Sequence, residues 1–139
     1  MDQLNTGDII PSIGIGWIKI HMSCEDVLRD ICEYQIKDLI SHDRIVCDDV
    51  DIWIDKTTKK VTQIMVKEGF QGKYDGAIGI GSLLSTVIKM GKKYHEELDT
   101  YVLDDAPGMC FELGDTSEND SWDELRAPIA YISVFSSPA

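Results

Sequence analysis

Several features that mark common classes of protein are missing from this sequence of 139 residues. No apolar run approaches the roughly 18 residues that a membrane helix needs, and no basic segment followed by an apolar one opens the chain. The four cysteines form no C-x-x-C pair and lie within apolar stretches, as small buried thiols do. We therefore expect a cytoplasmic protein with reduced thiols and no membrane partner.

Basic residues are almost absent from the last third of the chain. Residues 94–139 hold 11 acids against Arg126 alone, a net charge of −10, whereas residues 1–93 hold 14 acids against 12 Lys and Arg, a net charge of −2. Binding a phosphate backbone directly requires Lys and Arg, so this distribution is evidence against a nucleic-acid ligand. It predicts a basic protein as the partner.

Cofactor and metal motifs are missing too, and we expect no cofactor. The segment Gly79-Ile80-Gly81-Ser82-Leu83-Leu84 lacks the third glycine of the dinucleotide-binding fingerprint, and no Walker lysine follows it. Zinc-ligand spacing is absent. If the acidic segment from Asp115 were an EF-hand loop, Asp120 would stand at the glycine position and Arg126 at that of the bidentate glutamate.

Residue types that carry catalysis are few, and no local signature joins them. The histidines are His21, His42 and His95. An enzyme of unrecognised type that uses His95, Cys110 or Asp104 is one alternative hypothesis. An acidic regulatory module that binds some other basic protein is another.

What the sequence does contain is an internal repeat. The strand-like Ile78-Gly79-Ile80 matches Ile18-Lys19-Ile20 at an offset of 60, and later apolar segments match at offsets of 56 and 68. We predict a single domain, residues 1–139, with half-repeats at about 13–68 and 74–135. Each half-repeat is expected to form strand, helix, strand, strand, strand. Together they predict an α+β fold, an antiparallel sheet with the helices packed on one face.

Both predicted helices carry terminal signals. Ser23, with an acid three residues on, is the expected N-cap of the first helix, and Ser82 is the expected N-cap of the second. Gly91 is expected to end the second helix.

Trp122 lies in the long acidic segment that precedes the last predicted strand. An aromatic residue among acids combines an interface anchor with charges that guide a basic partner. The predicted partner-binding residues are the acids of this region with that tryptophan: Glu96, Glu97, Asp99, Asp104, Asp105, Asp115, Glu118, Asp120, Trp122, Asp123 and Glu124.

The segments IGIGSLLSTVIKMG (78–91), YVLDDAPGMCFELGD (101–115) and APIAYISVF (127–135) resemble small bacterial immunity proteins, including those paired with contact-dependent growth inhibition toxins. The tandem layout is also similar to that of β-lactamase inhibitory proteins, which are secreted and disulfide-bonded. The immunity resemblance implies a cytoplasmic protein without catalytic activity. Such a protein binds its cognate toxin domain, commonly a basic nuclease, and blocks its active site or a substrate-binding surface. Our leading hypothesis is an immunity protein that uses its acidic surface in this way.

Overall fold

A computed structural model describes residues 7–31, 33–97, 100–114 and 124–136. Eleven strands and two α-helices lie within these ranges. Their order is β1 (Ile9–Ile10), β2 (Gly14–Ile15), β3 (Ile18–Lys19), α1 (Cys24–Arg29), β4 (Gln35–Asp38), β5 (His42–Cys47), β6 (Val50–Asp55), β7 (Val61–Val66), α2 (Leu84–Lys89), β8 (Tyr94–Glu97), β9 (Thr100–Leu103), β10 (Met109–Leu113), a 3-10 helix (Glu124–Arg126) and β11 (Ile129–Phe135).

Eight of the strands form one antiparallel sheet in the order β4-β5-β6-β7-β11-β10-β9-β8. It consists of two four-stranded meanders that meet where β7 pairs with β11, in the register Ile64↔Val134 and Val66↔Ile132. The other three strands form a small antiparallel sheet, β1-β2-β3. The fold is therefore mostly antiparallel sheet with two six-residue helices, a mixed α+β composition.

One side of the large sheet is covered by apolar packing. Side chains alternate between the two faces of a strand, and the buried set includes Ile45, Ile52, Ile64, Phe111 and Ile132. These residues belong to the same hydrophobic cluster as Val27 of α1 and Leu84 and Val87 of α2. The cluster fixes which side chains of each strand are left on the opposite face.

The predicted capping residues of the two helices were confirmed in part. Ser23 caps α1 as predicted, since its Oγ accepts a hydrogen bond from the backbone N–H of Asp26 at 3.1 Å. The prediction for Ser82 is wrong: Leu83 occupies the N-cap position of α2 without a side-chain hydrogen bond. Ser82 Oγ instead accepts from the Gly79 N–H at 3.0 Å, which closes a turn, and Gly81 lies within this turn with φ +91°. Gly91 lies just after α2 with φ +81°, as a terminating glycine should.

Two strands of the large sheet were missed by the sequence patterns. Each helix is followed by four strands of the large sheet rather than the predicted three, because β4 and β8 were not anticipated. These are the edge strands, and apart from the half-buried Tyr94 all their residues are exposed. Without a buried face there is no alternation of apolar and polar residues to detect. The predicted strand at Ile78–Ile80 is also wrong, since only an isolated bridge joins Ile78 to Tyr74.

Gly108, before β10, allows a close approach between the two sheets. Its φ is +87°, and a Cβ at this position would overlap Ser12, which lies in the β1–β2 turn. The carbonyl of Gly108 accepts from the N–H groups of both Ser12 (3.3 Å) and Phe135 (3.0 Å). This glycine thus joins the small sheet to the end of β11.

Neither helix is long or apolar enough to cross a membrane, and the same holds for every helical segment within the described ranges.

Candidate functional site

The predicted acidic residues that the structure describes lie at the β8 end of the large sheet. Glu96 and Glu97 belong to the edge strand β8, and Asp104 and Asp105 follow β9 in the turn towards β10. The pairing Glu97↔Thr100 sets these segments side by side, and the Asp104 N–H donates to the carbonyl of Lys93 at 2.9 Å. Residues that are separate in sequence therefore form one exposed end of the sheet.

His95 joins two of these carboxylates. Its Nδ1 lies 2.9 Å from Asp104 Oδ1, and its Nε2 lies 3.0 Å from Glu97 Oε2. These contacts, first that with Asp104 and then that with Glu97, raise the pKa of His95 above its ordinary 6.5. Asp104, His95 and Glu97 form what we call the His95 triad, in which protonation of the imidazole is favoured and part of the negative charge is neutralised.

The other two acids have different surroundings. Asp105 accepts from Lys92 Nζ at 2.9 Å, and this hydrogen bond raises the pKa of Lys92. Glu96 is the neighbour of Glu97 on β8, so its side chain is directed to the opposite face of the strand. The structure therefore brings Glu97 and Asp104 together and separates Glu96 and Asp105 from them.

The remaining predicted contacts lie outside the described residues. This applies to Asp99, Asp115, Glu118, Asp120, Trp122 and Asp123. Glu124 is the first residue of the 3-10 helix, and only its backbone position is described.

A cavity of about 520 Å³ opens beside the His95 triad. Its apolar wall comes from Val102, Pro107 and Phe135, and Gly108 lies at its base. No Lys or Arg is present among the described residues that line it, which are His95, Glu97, Thr100, Val102, Leu103, Asp104, Pro107, Gly108, Cys110 and Phe135. The cavity thus combines apolar walls with a negatively charged rim.

Cys110 borders this cavity but has no sign of activation. Burial raises the pKa of its thiol, whereas a nucleophilic cysteine needs a lowered one. Both ring nitrogens of His95 contact carboxylates, so the imidazole is engaged by Asp104 and Glu97. Burial likewise raises the pKa of Cys47 to about 11. No group of three or more His, Cys, Asp or Glu that could hold a metal ion occurs in the described part of the chain.

The cavity continues onto the face of the large sheet that is turned away from the apolar cluster. We call this the open face, and its side chains alternate along the strands with those of the apolar cluster: Arg44, Trp53, Gln63, Met65, Cys110, Tyr131, Ser133 and Phe135. Gln63 Nε2 donates to Ser133 Oγ at 3.2 Å across the junction of the two meanders. Tyr131 is 40% exposed.

A cation–π contact lies on the part of the open face formed by β5 and β6. The Arg44 guanidinium lies 5.0 Å from the centroid of the Trp53 ring. Arg44 also donates to Asp51, whose side chain is fully buried and accepts a second bond from Lys67 at 3.2 Å. Arg44, Asp51 and Trp53 were not among the predicted partner-binding residues.

The chain matches no protein-family model, no curated protein and no solved structure. A second cavity, of about 510 Å³, lies where β7 ends and β11 begins, and Lys67 and Tyr131 are among the residues that line it.

Proposed function

We propose that this chain is an immunity protein that binds and neutralises a basic toxin domain, which we expect to be a nuclease. The binding surface in this proposal is the open face together with the acidic end of the sheet. Neutralisation requires no catalysis by this chain. It requires a stable complex that covers the toxin's substrate-binding surface.

One observation carries the proposal: the carboxylates of Glu97 and Asp104 flank an apolar cavity whose described lining has no Lys or Arg. An aliphatic stem with a cationic end, as in Lys or Arg, suits such a site because its methylenes contact the apolar wall and its charge meets the carboxylates. The net charge of −10 in residues 94–139 would draw a basic domain towards this end of the sheet.

The open face also carries large aromatic side chains that could anchor a partner, namely Trp53, Tyr131 and Phe135. Aromatic residues with Arg and Met are enriched at protein–protein contacts and provide most of the anchoring energy. In the proposed complex, the carboxylates occupy positions that substrate phosphates would take on a nuclease, and the aromatic side chains fix the register. Specificity then comes from the shape of the open face and not from charge alone.

We also infer that the two halves are a duplicated unit with both helices on one side of the sheet. Support comes from equivalent backbone hydrogen bonds that tie the segment before each helix to the last strand of its half. His21 N donates to Val61 O as Gly81 N does to Ile129 O, and Val61 N donates to Met22 O as Ile129 N does to Ser82 O. The offsets, 60 before the helix and 68 in the last strand, are those of the sequence repeat.

The test begins with affinity capture of the tagged full chain from its native cells, with mass spectrometry of what is retained. The captured domain is then used to measure association rates for the wild type and for the double variant Glu97→Gln/Asp104→Asn. We expect about tenfold slower association for the variant at low ionic strength, because steering charges are lost. The difference should shrink above physiological salt, where charges are screened beyond about 8 Å.

A matched control is available on α1. Glu25→Gln/Asp26→Asn removes the same charge from exposed positions outside the open face, and its association rate should stay within about twofold of the wild type. Equal slowing by both double variants would mean that only net charge matters, which contradicts a site at the His95 triad. Recovery of no protein partner would contradict the immunity function itself.

A further inference from the structure

The large sheet ends at β4 in an edge that has no partner strand among the described residues. The surrounding side chains are unusually apolar for a solvent-exposed edge: Tyr34 is 40% exposed, Ile36 53%, Leu39 41% and Ile40 fully exposed. Exposed apolar edge strands are templates for pairing with another strand, and proteins commonly block them with charge. The opposite edge, β8, is blocked in this way by Glu96 and Glu97.

The backbone groups directed away from the sheet at β4 can be identified. The Leu39 N–H donates to the carbonyl of His42 on the neighbouring strand at 2.9 Å. Hydrogen-bonding direction alternates along an antiparallel strand, so Lys37 and Gln35 face β5 while Ile36 and Asp38 face outward. By the same alternation the backbone groups of Tyr34 also face outward, so Ile36 is the middle one of the three outward-facing residues.

We propose that β4 pairs antiparallel with β4 of a second copy of this chain, with Ile36 opposite Ile36 of the other copy. A two-fold axis perpendicular to the sheet places a residue opposite its own copy at the centre. When the axis passes between the two copies of Ile36, these two residues form a hydrogen-bonded pair. Asp38 then lies opposite Tyr34 of the other copy. Centring on Lys37 or Asp38 would instead oppose equal charges, which is destabilising.

Charge favours a second copy at this edge and not at the other. Within β4 the charges of Lys37 and Asp38 balance, and residues 1–93, which contain them, carry only −2 of the total −12. The acidic edge β8 lies seven strand spacings away, about 34 Å at roughly 4.8 Å each. That distance is several times the Debye length of about 8 Å at physiological salt, so the acidic ends of two copies would not oppose the pairing.

The dimer forms one continuous sheet of sixteen strands with an acidic end at each side. A four-residue strand buries less area than a standard interface of about 1,600 Å², so we expect a weak dimer, with a dissociation constant on the order of micromolar or higher. This inference is independent of the proposed toxin partner. The open faces of both copies stay available.

Sedimentation velocity of the full chain from about 1 μM to about 1 mM tests the proposal. We expect a monomer–dimer equilibrium for the wild type, and a dissociation constant at least about tenfold higher for Ile36→Lys and for Ile36→Glu alone. Mixing the two variants in equal amounts should restore the dimer, because the introduced lysine of one copy lies opposite the introduced glutamate of the other. Circular dichroism and urea unfolding check that both variants fold.

Ile13→Lys is the matched control, since Ile13 is also 53% exposed but lies in the β1–β2 turn. It should leave the dissociation constant unchanged. A wild type that stays monomeric to about 1 mM would overturn the proposal. So would a dimer that Ile36→Lys leaves intact, or a mixture of the two Ile36 variants that stays monomeric, because residue 36 would then not lie opposite itself.

Discussion

His95 is held between two carboxylates, Glu97 on its own strand and Asp104 in the turn after β9. The side chains are about half exposed, so solvent screens the contacts, yet both act in the same direction on the imidazole. When His95 is protonated, its positive charge cancels one of the two carboxylate charges beside the cavity. Its protonation state therefore sets how negative the cavity rim is.

The pH dependence of this triad has a defined sign. Because the folded protein raises the pKa of His95 above 6.5, the stabilising contribution is fully present below pH 6.5 and is lost as the pH rises through the raised value. The urea midpoint of His95→Gln should therefore fall below that of the wild type at acidic pH, with the difference disappearing at alkaline pH. An NMR titration of the His95 ring should give a pKa above 6.5.

Substitutions of the two carboxylates separate their effects on His95. Asp104→Asn should lower the pKa of the ring more than Glu97→Gln does, because the hydrogen bond with Asp104 is the larger cause of the shift. A ring pKa at or below 6.5 in the wild type would show that the triad is not formed in solution.

At the scale of secondary-structure elements, buried charge ties the strands of the first meander together. Asp51 on β6 accepts from Arg44 on β5 and from Lys67, which directly follows β7. Its side chain is fully buried, while those of Arg44 and Lys67 are 30% and 28% exposed. The contact between Lys56 and Asp38 also joins two elements, but there Asp38 is 81% exposed.

The buried ion pairs of Asp51 and the exposed ion pair of Asp38 should differ strongly in energy. Asp51→Ala leaves two cations without their buried partner, and we expect it to lower the free energy of unfolding by about 2–4 kcal/mol, the partial exposure of both cations keeping it below the largest such losses. Asp38→Ala should cost about 0–1 kcal/mol, as exposed pairs do. Urea unfolding of both variants at low protein concentration measures the difference. Equal losses would mean that Asp51 is hydrated in solution.

How far the elements could be predicted depended on burial. Strands with one buried face gave a recognisable pattern, as in β6, where the buried residues Val50, Ile52 and Ile54 recur at every second position. The edge strands β4 and β8 gave none, because they lack that face. Ser82 had the residue type of a cap but bonds to Gly79, since the turn closes one residue before the helix begins.

For the molecule as a whole, the sequence predicted an antiparallel sheet, and it showed that residues 94–139 carry most of the net negative charge. It did not predict that β7 and β11 would pair at the centre, which depends on contacts between residues about 70 positions apart. The sequence predicted the His95 triad only in part. Its two acids were among the predicted partner-binding residues, whereas His95 was considered only as a catalytic residue. Trp53 and Arg44 were missed because their pairing depends on the register of β5 with β6.

The sheet order places the edge strand β4, where the second copy is proposed to pair, and the edge strand β8, which carries His95 and Glu97, at opposite ends of the large sheet, about 34 Å apart. Sites so far apart with no shared contacts should act independently, and substitution effects should add within about 0.5 kcal/mol. We therefore expect Glu97→Gln/Asp104→Asn to leave the dimer dissociation constant within about twofold of the wild type in sedimentation experiments. Conversely, Ile36→Lys should leave both the NMR pKa of His95 and the salt dependence of partner association unchanged. A shifted His95 titration in Ile36→Lys would show instead that the second copy reaches the acidic end, which an edge-to-edge pairing through β4 does not allow.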